Sequence, residues 1–252
     1  MSDKKNNSVA SSISLSVVVP VFNELENVEP LILEIQASLE NTIAYEMIFV
    51  DDSSSDATLN KLVQLNSTIN QLRVLSHRKR SGQSAAVYTG VKAARAPLVV
   101  TLDGDGQNNP FDIPNLLEAY QKNAGTAQNV MICGQRANRK DNFVKRFSSK
   151  IANRIRSGLL GDLTVDSGCG LKLFKVQDFM ELPSFNHMHR FLPALMIRNG
   201  GKVISIKVSH RSRDRGKSKY GTFDRLWVGI FDLIGMVWLK SRPLNPEVKE
   251  PE

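Results

Sequence analysis

Two aspartates one residue apart end an apolar run: in VVTLDGDGQNNP, Asp103 and Asp105 directly follow Val99–Leu102, and each precedes a glycine. Residues i and i+2 of a strand point to the same side, so the two carboxylates converge if the strand direction continues through them. Like charges that close repel one another unless a cation lies between them. A hard divalent ion takes oxygen ligands, and the Gln107 amide offers a third oxygen or a contact to whatever the ion carries. Gly104 and Gly106 let the backbone turn sharply and a bulky ligand approach. An acidic surface turn is the plainer reading of the same residues. The other polar segments decide between the two.

Strand and helix patterns alternate through the first half of the chain. Apolar β-branched runs predict strands at Ser14–Val21, Tyr45–Val50, Leu72–Ser76, Leu98–Leu102 and Val130–Cys133, and helical spacing predicts helices over Asn27–Glu40, Asp56–Leu65, Gln83–Ala94 and Asp112–Lys122. Such alternation predicts an α/β fold, a mostly parallel sheet with helices on both faces. Ligands of these sheets lie beyond the carboxyl ends of the strands. PVFNE, DDSSSD and DGDGQ follow the first, second and fourth strands, so three acidic, polar segments fall on that side.

At 252 residues the chain suits one large domain or two small ones, and 41% hydrophobic composition is enough for a substantial core. Two cysteines, Cys133 and Cys169, show neither disulfide-scaffold nor zinc spacing, which fits a reducing compartment. The polar start, MSDKKNNSVASS, has no signal-peptide pattern, and residues 1–13 and 243–252 read as tails around a domain at 14–221. A cytoplasmic protein is expected.

Net charge is +8, and fourteen of the 33 Lys and Arg fall in two short stretches, Arg136–Arg156 and Lys207–Lys219. Such patches attract phosphate. A sugar nucleotide fits carboxylates, a metal and basic patches together: Asp52 can bond the base or ribose, Glu24 can lie beside the nucleoside, and the metal can bridge the diphosphate. No GxGxxG follows the first strand and no GxxxxGK[ST] occurs, which argues against a dinucleotide cofactor and a P-loop NTPase. Nucleic acid is a poor partner, because no aromatics interleave with the basic stretches and paired carboxylates would oppose a polyanion.

SVVVPVFNELENV, IFVDDSSSDAT, SGQSAAVYTGVKAA and VVTLDGDGQNNP resemble, in order and spacing, the nucleotide-sugar domain of family 2 inverting glycosyltransferases. VDSGCGLKLF, MHRFLPALM and HRSRDRGKSKYG resemble the branch that transfers a sugar to polyprenyl phosphate, the dolichyl-phosphate mannosyltransferase type; the resemblance spans Leu15 to Arg242. It implies a nucleotide-diphospho-sugar transferase (GT-A) fold. It also implies that Pro20, Phe22, Glu24, Val50 and Asp52 surround the nucleoside and that Asp103, Asp105 and Gln107 hold Mg²⁺ or Mn²⁺ and the diphosphate. Arg213 and Lys219 match the family's phosphate clamp, and Arg136 matches a basic residue after the fifth strand. The implied donor is GDP-mannose or a UDP-hexose. Phe22 stands where many relatives have tyrosine, and DSGCG, with Asp166, replaces D-x-x-S-G-F.

The chemistry is consistent on its own terms. A phosphate monoester, with a second pKa near ~6, is mostly a dianionic nucleophile at neutral pH, so no general base is required. The four histidines accordingly form no acid–base or metal pattern, and His189 is expected to be structural. Leu226–Leu239, LWVGIFDLIGMVWL, is apolar except for Asp232 and is flanked by Arg225, Lys240 and Arg242. Fourteen helical residues cover only about 21 Å, so 222–242 is read as an amphipathic helix lying in the membrane interface, with a core or oligomer helix as its plainer reading. The expected protein is a peripheral enzyme on the cytoplasmic face, with a membrane-protein partner allowed. The alternative is a catalytically silent sugar-nucleotide-binding adaptor of a membrane complex.

Overall fold

The computed structural model describes residues 13–127, 129–136, 158, 161, 164, 166–211 and 222–242, without the side chains of 222–228. Strands β1 (Leu15–Val21), β2 (Tyr45–Asp51), β3 (Leu72–Ser76), β4 (Leu98–Thr101), β5 (Val130–Arg136), β6 (Lys172–Lys175) and β7 (Lys202–Val208) form one sheet ordered β3-β2-β1-β4-β6-β5-β7. All pairs are parallel except those of β6, which runs antiparallel to both β4 and β5.

Helices cover both faces, as the alternating pattern predicts. One face packs under α1 (Leu25–Leu39), α2 (Thr58–Asn66) and α4 (Ile113–Asn123), whose Val28, Ile32, Ile35, Leu62 and Leu116 join the inward residues of β1, β2 and β5. The other packs under α3 (Gln83–Ala93), α5 (Val176–Met180), α6 (Leu192–Arg198) and α7 (Thr222–Lys240), with the Phe174–Phe179 stack near its centre. Strands buried on both faces read as continuous apolar runs, which is why SVVVPV and MIFV were recognisable.

The β6 reversal determines what reaches the ligand side. Lys172, the first residue of β6, stands in register with Thr101 and Cys133, so the segment leading into β6 arrives where β4 and β5 end. β7 is parallel to β5 and finishes beside it, Val208 opposite Arg136, carrying residues 209–211 to the same side. Neither β6 nor β7 was anticipated from the sequence.

The C-terminal helix extends beyond the 14-residue apolar run it contains: α7 has 19 residues, about 28 Å. Met236 is buried, and Leu233, Val237 and Leu239 pack against the second core. The single acid in the apolar run, Asp232, turns inward, its Oδ2 2.9 Å from His187 Nδ1. Ile230, Phe231, Ile234 and Trp238 form an outward stripe, Phe231 being 69% and Trp238 62% exposed. Among the described residues no helix is long and apolar enough to cross a membrane.

Candidate active site

Asp103 and Asp105 do meet, by a different route from the one the pattern suggests. β4 ends at Thr101 and residues 104–106 form a turn, so a turn rather than strand alternation brings Asp105 back toward Asp103. Asp105 Oδ1 accepts from the Gln107 backbone N–H at 3.2 Å, which tightens the turn. Gly104 is required at its start, because a β-carbon there would lie 2.8 Å from Pro20 O and 2.6 Å from Val21 Cγ1.

Asp103 is held on three sides. Its Oδ1 accepts from Gln83 Nε2 at 2.8 Å, and its backbone N–H donates to the buried Asn108 Oδ1 at 3.1 Å. On the third side its carboxylate lies against the α-carbon of Gly170, where a β-carbon would come within 2.3 Å of Oδ2. Thr101 Oγ1 fixes that glycine by donating to its carbonyl at 2.6 Å. Burial, and then the charge of Asp105, push the Asp103 carboxyl up to about 6, against the pull of Lys172, Arg136 and the Gln83 hydrogen bond. Two crowded carboxylates, one of them raised in this way, lack positive charge at the point they share. A divalent cation would supply it, and the oxygen donors of Asp103, Asp105 and Gln107 suit a hard ion. Among the described residues no cluster of three His, Cys, Asp or Glu side chains offers another metal site.

The loops after β1 and β2 are stitched together beside this turn. Asn23 Oδ1 accepts from Ser55 N at 2.7 Å, and the backbone N–H groups of Asn23 and Glu24 donate to Ser54 Oγ and Thr58 Oγ1. Pro20, Phe22 and Glu24 are partly exposed along this edge, and the Arg80 guanidinium lies 4.1 Å over the Phe22 ring.

The sequence matches Glycosyl transferase family 2 over residues 16–182, more than half of the chain. This chain belongs to glycosyltransferase family 2. The transferase is 34% identical over 245 residues to the dodecaprenyl-phosphate galacturonate synthase of Rhizobium johnstonii, covering 94% of this chain and 71% of the relative. It is 32% identical to the undecaprenyl-phosphate 4-deoxy-4-formamido-L-arabinose transferase of Photorhabdus laumondii, covering 92% and 69%. Among solved structures, glucosyl-3-phosphoglycerate synthase from Mycobacterium tuberculosis shares the fold. Its complex with Mn²⁺, UDP and phosphoglyceric acid gives a TM-score of 0.68 at 17% identity, covering 92% of this chain and 80% of that one. The transferase is thus an enzyme of the GT-A type, and the adaptor alternative draws no support from its relatives.

Three expected site residues are buried or bonded within the protein itself. The Asp52 carboxylate, expected to bond the base or ribose, is taken up by its own protein: it accepts from Ser81 N and Gly82 N at 2.8 Å each, and His77 Nδ1 lies 2.8 Å away. It therefore anchors the 77–82 loop at the start of α3. Val50, expected beside the nucleoside, is fully buried in the second core, because it lies mid-sheet where both faces are covered. Arg136, expected to face phosphate, is the last residue of β5 and forks onto Asp166, Nε to Oδ2 at 2.6 Å and Nη2 to Oδ1 at 2.7 Å. Arg213 and Lys219, with the clamp motif around them, lie outside the described residues.

The structure adds residues that spacing alone does not reveal. Gln83 opens α3 and reaches Asp103. The next residue, Ser84, pairs with His189, Oγ 2.7 Å from Nδ1 and accepting from the His189 backbone N–H at 3.2 Å. Burial, followed by the charges of Arg190, Lys172 and His187, pushes the His189 imidazole down to about 3, so it stays neutral. His189 is thus bonded within the protein through Ser84. Lys172, buried at the start of β6, donates through Nζ to Cys169 O. SGQS and GCGLK contain these residues, but only the meeting of α3 with the reversed β6 shows what they serve.

Proposed function

We propose that this chain transfers a sugar from a nucleotide-sugar donor to a polyprenyl phosphate, with inversion at the anomeric carbon, giving a polyprenyl-phosphate sugar and a nucleoside diphosphate. The observation that carries this reading is the meeting of Asp103, Asp105 and Gln107 with buried Lys172 and the Arg136–Asp166 pair at the end of the sheet where parallel α/β folds bind ligands. The acceptor class rests on the two curated relatives, each named for a polyprenyl-phosphate product or substrate.

The chain's own residues then have distinct tasks. Pro20, Phe22 and Glu24 line the nucleoside edge, and Asp52 acts indirectly by fixing the 77–82 loop. Asp103, Asp105 and Gln107 hold the diphosphate through a divalent ion, Mg²⁺ or Mn²⁺, which when bound neutralises charge developing on the leaving group. Arg213 and Lys219 bring the dianionic acceptor against the anomeric carbon, and no side chain needs to remove a proton.

The lipid acceptor suggests a place for α7. Its outward stripe of Ile230, Phe231, Ile234 and Trp238, with Lys240 and Arg242 at its end, suits the headgroup level of an anionic bilayer, and Asp232 is withdrawn from it. The chain is read as peripheral on the cytoplasmic face.

Incubation with a panel of UDP- and GDP-sugars, Mn²⁺ and an undecaprenyl phosphate tests the reaction: a lipid-linked sugar and the nucleoside diphosphate should form together. Release of the free sugar from every donor, with no lipid product, overturns the reading. For α7, Phe231→Glu should lower sedimentation with anionic liposomes and leave Tm unchanged, whereas a core helix would show the reverse.

A further inference from the structure

Arg211 ends the described part of the basic stretch that begins at Lys207, and as a sequence feature it is one more cation facing phosphate. Its guanidinium is committed elsewhere. Nη1 donates to both carboxylate oxygens of Glu34 on α1, at 2.8 Å each, and Nη2 donates to Asn109 Oδ1 at 2.7 Å. Its backbone N–H donates to Gln107 O at 3.1 Å, and Gln107 Nε2 lies 3.5 Å from Arg211 O, so the two residues face each other beside the Asn108–His210 bridge. Ser209 grips the far end of the same loop: its N–H donates to Asp112 Oδ2 at 2.9 Å and its Oγ accepts from Asn109 Nδ2 at 2.9 Å. The 107–112 loop is therefore clasped between the end of β7 and α1.

We propose that Arg211 is a positioning residue, bracing the 107–112 loop against α1 so that Gln107 is held in place beside Asp105. The inference rests on the proposed use of Asp103, Asp105 and Gln107 for a divalent cation and diphosphate. The physical argument is a contrast between energy and geometry. Both partners of the Arg211–Glu34 pair are about one third exposed, 35% and 34%, and such pairs contribute little to stability. A planar fork engaging one carboxylate through one nitrogen and an amide oxygen through another nevertheless fixes orientation, which a lysine at the same place cannot do. Gln107 is tied on both sides of this contact: its backbone N–H donates to Asp105 Oδ1 at 3.2 Å and its Nε2 lies 3.5 Å from Arg211 O. Arg211 is thus a cation of the basic stretch whose contacts go to protein rather than to phosphate.

The test is Mn²⁺ binding in the presence of UDP, followed by electron paramagnetic resonance, so that it needs no turnover. Arg211→Ala and Arg211→Lys should each weaken Mn²⁺ binding about ten-fold, with Tm within roughly 3 °C of the native chain. Glu34→Gln should act in the same direction, and the exchanged pair Arg211→Glu with Glu34→Arg should recover part of the loss. Lys207→Ala removes an exposed charge from the same stretch and should change Mn²⁺ binding less than two-fold. Equal effects of Arg211→Ala and Lys207→Ala, or full binding by Arg211→Lys, would overturn the brace in favour of simple charge attraction. A large fall in Tm with normal Mn²⁺ affinity would overturn it in favour of a structural tie. Should the native chain bind no Mn²⁺ with UDP, the metal reading fails by itself. Hydrogen exchange of the 107–112 amides then decides on the brace, which requires faster exchange in Arg211→Ala than in Lys207→Ala.

Discussion

Two carboxylates near opposite ends of the sheet have opposite surroundings. Near the amino ends of β1 and β2, Glu46 accepts from Ser16 Oγ at 2.7 Å, Arg73 Nη1 at 2.6 Å and Arg95 N at 2.7 Å. Burial favours its neutral form, but these donors outweigh burial and hold the carboxyl below its ordinary range. At the carboxyl end of β4, Asp103 has one side-chain donor, Gln83, and a second carboxylate beside it, and its carboxyl is pushed up to about 6. Fully partnered acids hold strands together; an acid left short of positive charge is suited to a ligand that brings some.

The sharpest way to break this comparison is to remove one member of the crowded pair. Asp105→Ala should lower transfer by ~10²–10³-fold or more while Tm holds or rises, since repulsion is relieved along with the cation site. Native activity in Asp105→Ala, or in excess chelator, would separate the carboxylates from the chemistry. Next in size is Gly170→Ala: the added methyl must displace the Asp103 carboxylate, and a shift of about 1 Å is enough for a ~10²-fold loss. Mn²⁺ binding should fall with the rate; a rate loss with intact Mn²⁺ binding would point instead to the acceptor side.

Glu46→Gln should do the converse. It weakens the tie to Arg73, which is 26% exposed and also donates to Ala93 O, and should cost about 1–3 kcal/mol of stability, read as a lower urea midpoint, while the Mn²⁺ affinity of the folded protein stays within two-fold. The smallest effect expected is on pH. Because the folded-state carboxyl of Asp103 is raised, its contribution to stability without metal is fully present below about 4 and is lost as pH rises through about 6. Mn²⁺ reverses the sign, since the ion requires the ionised form. The rise in Tm on adding Mn²⁺ should therefore be larger at pH 7.5 than at pH 5; an equal rise at both would place the ion away from Asp103.

The two halves of the chain differ in how much of this could be read from residues alone. From β1 to β5 each strand and helix is encoded locally, by an apolar run or a helical repeat, and the predicted bounds agree within a few residues. β6 is four residues long and has no period to detect; its direction is fixed by pairing with β4 and β5, an arrangement no local window contains. The carboxylate pair was legible because two aspartates around a glycine after a strand are chemically conspicuous. Gln83, Gly170 and Arg211 are ordinary residue types whose roles exist only through partners 20 to 177 positions away. The internal partners of Asp52 and Arg136 were not legible for a related reason: a charged residue at a strand end shows them only once the chain is folded.

The insertion of β6 between β4 and β5 also has a consequence for the order of assembly. A nascent chain that has emerged only through β5 can assemble the sheet β3-β2-β1-β4, but it leaves one edge of β4 open and β5 without its neighbours. Closing that gap takes contacts such as Thr101 with Lys172, across about seventy residues, and loop closure over that distance makes the step slow compared with forming the βα units before it. The same event delivers Gly170 against Asp103. Competence to bind the cation is therefore acquired late, when the sheet closes, and a folding intermediate with its first four strands in place would have helical content and an exposed strand edge but no metal affinity.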